Sequence, residues 1–137
     1  MATTKLKTTN GELVDLMNGL FSVQDLKGKD FAFKVSRNMS KLQDALEEVE
    51  KMGKPSEEFM KLAQDVQRLQ QQKDPDAIKK LEESNSEIIK AREDQMDKVQ
   101  DLLKKDADEI ELEVFTKDML PGEITGRQIS NLEKIII

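Results

Sequence analysis

The chain has 137 residues and a formal net charge of −6, and it contains no His, Cys, Trp or Tyr. The missing His and Cys exclude Ser–His and Cys nucleophile pairs and thiolate metal sites, so we expect no enzyme and no catalytic or metal-binding residues. Because 36% of the residues are charged and five are Phe, the core of one domain must come mainly from Leu, Ile, Val and Met, which favours packed helices.

The distribution of charge, glycine and apolar residues argues against several further classes of protein. Residues 56–137 carry thirteen basic and twenty acidic side chains, and this excess of negative charge disfavours nucleic-acid binding. The six Gly are scattered, so we expect no phosphate-holding loop and no cofactor. No segment approaches the roughly 20 apolar residues that span a bilayer, and residues 1–9 lack the apolar run of a signal peptide. We therefore expect no membrane span and a cytoplasmic location.

The first predicted elements are a strand or extended arm over residues 3–8 and a helix that begins after it. Thr9 and Glu12 have the spacing of a capping box, in which each side chain binds a free backbone N–H of the first turn. The apolar residues at helical spacing after this cap are Leu13, Leu16 (or Met17) and Leu20. Gly19 predicts that the helix frays there, and residues 22–30 are expected to form a loop.

Two apolar stripes at heptad spacing predict helices over residues 31–52 and 56–72. The first stripe consists of Val35, Met39, Leu42, Leu46 and Val49. The second stripe consists of Phe59, Leu62, Val66 and Leu69. Gly53 and Pro55 favour a helix end followed by a new start, so we expect the two helices to form an antiparallel hairpin. The first stripe would pack inside the chain or form a seam with a partner protein.

A third helix is predicted over residues 75–105, because Asp74 and Pro75 suit the N-cap and the first helical position. Its apolar residues are Ile78, Leu81, Ile88, Met96, Val99 and Leu103. Asn85 and Arg92 stand where a heptad has apolar residues, which leaves two interpretations. Either this part of the helix is exposed to solvent, or the two residues fix a register or contact a partner.

Residues 109–115 alternate between acidic and apolar side chains, as is typical of a strand with one buried face. The neighbour available is the segment Lys5–Lys7, whose Lys side chains would lie beside the Glu side chains. We interpret the Glu face as solvated, and the alternatives are an acidic docking surface or a divalent-ion site. The predicted fold is mainly α, a single domain over residues 1–137. It is a helical hairpin or bundle of three to five helices with a minor two-stranded β element that joins the N-terminal arm to residues 109–115.

The segment 109–137 is predicted to end in a short helix. Thr125 and Gln128 repeat the capping-box spacing. The residues predicted to form the buried side of this helix are Ile129, Leu132 and Ile136. The apolar run Ile135, Ile136 and Ile137 must be covered, either by the helical hairpin of the chain itself or by a partner.

Positive charge gathers in one cluster, around a loop with three Phe residues. The basic residues are Lys27, Lys29, Lys34, Arg37 and Lys41. We interpret them as a solvated helix face whose positive charge is reduced by nearby Asp residues. The alternative is a contact with an anionic partner. Phe21, Phe31 and Phe33 are predicted to fill the core at the helix junction, although aromatic residues beside basic ones also form small binding sites.

A series of short segments spans most of the chain in a recognisable order. They are Lys5-Leu6-Lys7, Phe33-Lys34-Val35, Arg37-Asn38, Lys41-Leu42, an acidic helix, a Glu-rich strand and Thr125-Gly126-x-Gln128. In this order they resemble small helical proteins of unknown function encoded by tailed bacteriophages, and residues 53–80 lie outside the resemblance. That group has no established catalytic activity, so the resemblance implies a viral, non-enzymatic protein and assigns no site residues.

Two functions agree with these features. The first is a structural or assembly protein of a virion, which packs as a homo-oligomer or against another phage protein through its helical stripes and apolar C-terminal residues. The second is a small infection-stage protein that binds and inhibits a host factor or a host-defence molecule through residues 21–37. The expected location is the host cytoplasm, and for the first function also the virion.

Overall fold

A computed structural model describes residues 2–137, and over these residues the chain forms seven α-helices and a two-stranded sheet. The helices are α1 (Asn10–Val23), α2 (Lys29–Ala45), α3 (Glu47–Gly53), α4 (Glu57–Gln71), α5 (Pro75–Ser84), α6 (Ser86–Lys104) and α7 (Gly126–Asn131). The strands are β1 (Thr3–Leu6) and β2 (Ile110–Glu113), and 3₁₀ turns cover Lys117–Met119 and Glu133–Ile135. The predicted mainly-α fold with a small β element is confirmed.

Four helices begin where local side-chain chemistry predicts a start. The hydroxyl of Thr9 accepts from the backbone N–H of Glu12, and Asp74 caps α5 with Pro75 at its first position. Ser56 caps α4 in the same way. Thr125 and Gln128 form a complete capping box at the start of α7. These caps depend on residues three positions apart, which is why the sequence alone predicts them.

Two of the predicted helices are divided in the structure. The helix expected over 31–52 is broken at Leu46, which has φ −99° and ψ 10°, and the helix expected over 75–105 is broken at Asn85. The Asn85 side chain donates to the carbonyl of Leu81 at 2.8 Å, so it competes with the backbone for the helical hydrogen bonds. The number of helices therefore exceeds the predicted three to five.

The prediction that α1 frays at Gly19 is wrong, because the helix continues to Val23. Gly19 is buried, and a Cβ atom built at this position would lie 3.1 Å from the Cβ of Asn131. The glycine therefore serves the close approach of α1 to α7 instead of ending the helix.

The chain forms two compact units, and each is described by itself. Unit 1 contains residues 2–49 and 102–137, and unit 2 contains residues 50–101. The prediction of a single domain over residues 1–137 stays a prediction. The helix predicted as the hairpin partner of α2, residues 56–72, belongs to unit 2, where α4 packs against α5.

Unit 1 has a closed hydrophobic core, in which α1 packs against α2 and α7, and α2 packs against β2. The core residues with no more than 3% of their surface exposed are Leu13, Leu16, Leu20, Val23, Phe31, Val35, Leu42, Leu112, Phe115, Leu132 and Ile135. The strands β1 and β2 are antiparallel, with Lys5 opposite Glu111, as the charges predicted. This pairing joins the two parts of the chain that make up unit 1.

Unit 2 is much less buried. Among the described residues, Leu62 and Val99 are its buried hydrophobic side chains, although α4, α5 and α6 all carry apolar residues at helical spacing. The apolar residues of unit 2 that stay half-buried are Met52, Phe59, Val66, Leu69, Ile78, Leu81, Ile88, Ile89 and Met96. The apolar faces of these helices are thus only partly covered by unit 2 itself.

Candidate functional site

A partly buried ion pair in unit 1 joins α2 to β2. The guanidinium of Arg37 donates from Nε to Oε2 of Glu113 at 2.6 Å and from Nη2 to Oε1 at 3.0 Å. This is the two-pronged geometry that matches a guanidinium to a carboxylate. The carboxylate is buried, with 5% of the Glu113 side chain exposed, whereas 45% of the Arg37 side chain is exposed. Arg37 therefore supplies the countercharge for a buried anion.

Asn38 completes this contact at the level of the backbone. Its side-chain amide donates to the carbonyl of Glu113 at 2.9 Å, and its side-chain oxygen accepts from the N–H of Glu113 at 2.9 Å. Asn38 is fully buried. The side chain therefore substitutes for a neighbouring strand and satisfies two buried backbone groups of β2.

The structure divides the predicted basic cluster in two. Lys34 donates to the carbonyl of Val114 at 2.9 Å, Arg37 binds Glu113, and Lys41 donates to the carbonyl of Glu111 at 3.2 Å. These three cations hold β2 in place inside unit 1. Lys27 and Lys29 are exposed at the start of α2.

The prediction of a solvated Glu face is wrong at Glu113. Glu109 and Glu111 are exposed, but Glu113 is buried, with only 4% of its surface exposed. The alternating pattern places the three Glu on one face, but it carries no information on which of them α2 covers. The hydrogen bond from Arg37 lowers the pKa of Glu113 despite the opposing effect of burial, and the charges of Arg37, Lys34 and Lys41 act in the same direction.

This lowered pKa gives a testable pH dependence. A carboxyl whose folded-state pKa lies below its unfolded value stabilises the fold above the unfolded pKa and loses that contribution as the pH falls through the folded pKa. We therefore expect the difference in unfolding free energy between the wild type and Glu113→Gln to shrink between about pH 5 and pH 2. Urea denaturation of both proteins across this range measures it. A difference that is constant with pH would contradict the role of the ionised carboxylate.

The first heptad stripe lies in the core of unit 1. Val35, Leu42 and Leu46 are buried, and Met39 and Val49 pack against them while remaining partly exposed. The sequence left open whether this stripe packs inside the chain or forms a seam with a partner. In the structure it packs inside unit 1.

The C-terminal Ile run is covered only in part, because Ile137 is 64% exposed. Ile135 is fully buried, and Ile136 is half-buried in a bridge with Phe115. Phe115 donates to the carbonyl of Ile135 at 2.8 Å and accepts from the N–H of Ile137 at 2.9 Å. The core that buries Ile135 includes residues of α2, the first arm of the predicted hairpin, whereas the second arm belongs to unit 2. The short helix is also less buried than expected, since Ile129 is 38% exposed.

Asn85 and Arg92 both make contacts within unit 2. Arg92 donates to the carbonyl of Gly53 at 2.9 Å, and its guanidinium lies 5.4 Å from the centre of the Phe59 ring. The amide of Asn85 binds Leu81 at the helix break. These two polar residues therefore contact other residues of unit 2. Such contacts explain why polar side chains stand at heptad positions without a partner protein.

Two of the three Phe residues near the basic cluster are exposed, which corrects the prediction that all three fill the core. Phe31 is buried and its ring contacts the ring of Phe115 in a tilted arrangement, with ring centres 5.2 Å apart. Phe21 is 58% exposed and Phe33 is 53% exposed. The sequence does not separate these cases, because all three Phe flank the same loop.

An apolar groove lies in unit 2 along α4. Its volume is about 560 Å³, and it is lined by Phe59, Leu62, Ala63, Val66, Gln67, Gln70, Glu82 and Ile89. Glu82 is the one charged residue in this lining. The apolar pattern of the sequence does not predict this groove. The signal that could have indicated it is a second heptad-spaced stripe, which lies beside the apolar one and carries no charge. We call this surface the α4 groove.

A second cleft, of about 670 Å³, lies in unit 1 beside β2 and is acidic. Its charged lining residues are Lys41, Asp44, Glu48, Lys105, Asp106, Asp108, Glu109 and Glu111. Over residues 2–137, no group of three acidic side chains is close enough to hold a metal ion. The predicted alternative of a divalent-ion site on the Glu face thus gains no support from the described residues.

Two further properties concern the chain as a whole. None of the helices formed by residues 2–137 combines the length and the hydropathy needed to cross a membrane. Comparison with protein-family models, curated proteins and solved structures finds no match for this chain.

Proposed function

We propose that this protein is a non-enzymatic protein-binding protein and that it contacts its partner through the α4 groove. The observation that carries this proposal is the difference between the two units. Unit 1 buries its apolar stripes, whereas the helices of unit 2 leave theirs half-exposed beside a groove of about 560 Å³. Soluble helices bury such faces against another element, so an uncovered apolar groove is a typical site for a partner helix.

The role we propose within this class is a structural or assembly component of a phage virion. The resemblance to small phage-encoded helical proteins supports it, and so does an apolar helical surface suited to lasting contacts. In this role the protein acts in the host cytoplasm and is incorporated in the particle. Mass spectrometry of purified particles tests it, because a structural component would be recovered in constant stoichiometry. An assembly factor that leaves the particle would be found in precursor particles alone.

The binding surface itself is tested by site-specific photo-crosslinking in the cells that make the protein. A photo-reactive phenylalanine analogue replaces the exposed residue Gln67 in the groove, and the matched control carries it at the exposed residue Gln43 of α2. We expect a crosslinked protein product at position 67 and none at position 43. Equal products at both positions, or no product at position 67, would exclude the groove as the binding surface.

A second candidate function is the binding and inhibition of a host factor or a host-defence molecule. The observation that favours it is the exposure of Phe21 and Phe33 near Lys27 and Lys29. Exposed aromatic residues beside cations suit a partner with an apolar pocket and an acidic rim. Changing Phe21 and Phe33 to Ser would abolish capture of a host protein under this function and leave association through the α4 groove unchanged.

A further inference from the structure

The charged side chains of α4 are confined to one side of the helix. With 100° between successive residues, all of them fall within a sector of about 100°. They are Glu57, Glu58, Lys61, Asp65 and Arg68. The exposed residues Met60, Ala63, Gln67 and Gln70 occupy a separate sector of about 80° next to the apolar stripe. The groove side of α4 is therefore uncharged in a chain in which 36% of the residues are charged.

An uncharged surface has a specific consequence for the choice of partner. In a two-fold symmetric contact the same patch lies on both copies, so each charge at the centre would face a like charge. A patch of Met, Ala and Gln on α4 avoids this repulsion, and the one charged residue of the groove lining, Glu82, belongs to α5 and lies outside this patch. The Gln amides can donate and accept equally on both sides. A partner selected by electrostatic attraction would instead require a charged surface on this side of α4.

The spacing of this surface fits helix-on-helix packing. Met60, Ala63, Gln67 and Gln70 are separated by three, four and three residues, and they run beside the apolar stripe that begins at Phe59. Residues at this spacing insert into the gaps of a facing helix. The small side chain of Ala63, which lines the groove, permits a close approach of the two helices.

We infer that the occupant of the α4 groove is a second copy of this chain, bound by α4 against α4 across a two-fold axis. The α4 and α5 helices of two copies then form a four-helix arrangement that completes the core of unit 2. The size of unit 2 supports this inference. A unit over residues 50–101 with Leu62 and Val99 as its buried hydrophobic residues is of the size at which small folds use oligomerisation for stability. The inference rests on the proposed function, since it names the partner of the same groove.

Sedimentation of the full chain over a concentration series tests the inference with three variants. Gln67→Glu with Gln70→Glu places like charges across the axis, as does Gln67→Lys with Gln70→Lys, and both positions are exposed. We expect the wild type to form dimers and each double variant to raise the dimer Kd at least about tenfold, because facing like charges are unfavourable. An equimolar mixture of the two variants should regain the affinity of the wild type. The matched control, Gln43→Glu with Gln100→Glu, adds the same charge at exposed positions outside the groove and should dimerise as the wild type does.

Three results would overturn the inference. They are a monomeric wild type at all concentrations, double variants that dimerise like the wild type, and a mixture that fails to associate. The photo-crosslinking at Gln67 separates these results from a failure of the proposed function. A monomeric chain that still crosslinks to a different protein at this position retains its binding function but not its self-association. A monomeric chain that crosslinks to nothing loses both.

Discussion

Replacing Phe115 with Ala is expected to lower the free energy of unfolding by about 4 kcal/mol, close to the upper end for the loss of a buried aromatic ring. Phe115 is fully buried, its ring packs at a tilt against the ring of Phe31, and its backbone is hydrogen-bonded to Ile135 and Ile137. Removal of the ring leaves a cavity inside the buried core cluster of unit 1, and a close-packed core can relax into such a cavity only in part. Urea denaturation followed by circular dichroism measures the loss.

The matched control for this substitution is Phe33→Ala, which removes the same group from a side chain that is 53% exposed. We expect the control to change the unfolding free energy by less than about 0.5 kcal/mol. A loss of similar size in both variants would show that the burial of Phe115 and the exposure of Phe33 do not describe the protein in solution.

Replacing Asn38 with Ala is expected to lower the free energy of unfolding by about 3 kcal/mol. The physical reason is that this side chain makes two hydrogen bonds to the backbone of Glu113 in a buried position. Without them, the N–H and the carbonyl of Glu113 are left buried and unpaired, and each such group carries a desolvation cost. Asn38→Asp should lose at least as much, since it turns the donor into an acceptor and adds a negative charge close to the Glu113 carboxylate.

Ser40→Ala is the control for Asn38, because Ser40 lies two residues further along the same helix on its exposed side. It should leave the unfolding free energy within about 0.5 kcal/mol of the wild type. An Asn38→Ala variant as stable as this control would contradict the role of Asn38 as the substitute for a neighbouring strand.

The features that the sequence predicted are those governed by residues close together in the chain. The caps predicted at Thr9, Asp74 and Thr125 depend on residues within the first turn, and all three helices begin there. The pairing of β1 with β2 is a long-range feature, but the charge match between Lys5 and the Glu side chains made it predictable.

Features that depend on packing between distant segments could not be predicted. The alternation of residues 109–115 shows which side chains share a face, but the burial of Glu113 follows from the position of α2, which brings Arg37 and Asn38 to this point. Phe31 and Phe33 likewise differ only in which side of α2 meets the core. The break at Asn85 was missed for a different reason. Asn85 interrupts the apolar pattern, but a polar residue at such a position is also compatible with an unbroken helix. The hydrogen bond from Asn85 to Leu81 is a local competition that periodicity does not report.

The α4 groove likewise depends on packing that the sequence does not reveal. The apolar stripe that begins at Phe59 is visible in the sequence, but its spacing predicts a hairpin with the preceding helix. In the structure Leu62 is buried and the remainder of the stripe stays half-exposed. The absence of charge on the adjoining stripe from Met60 to Gln70 is visible in the sequence, yet it becomes informative only when the groove beside it is known.

Amide hydrogen exchange of the full chain, at concentrations below and above self-association, tests most directly whether the α4 groove binds a second copy of the chain. If it is, amides within Glu57–Gln71 exchange more slowly at high concentration, since a covered helix opens less often, whereas amides of α2 exchange at the same rate at both concentrations. Exchange in α4 that does not depend on concentration, or protection that rises in α2 instead, would contradict the assignment of a second copy of the chain as the occupant of the α4 groove.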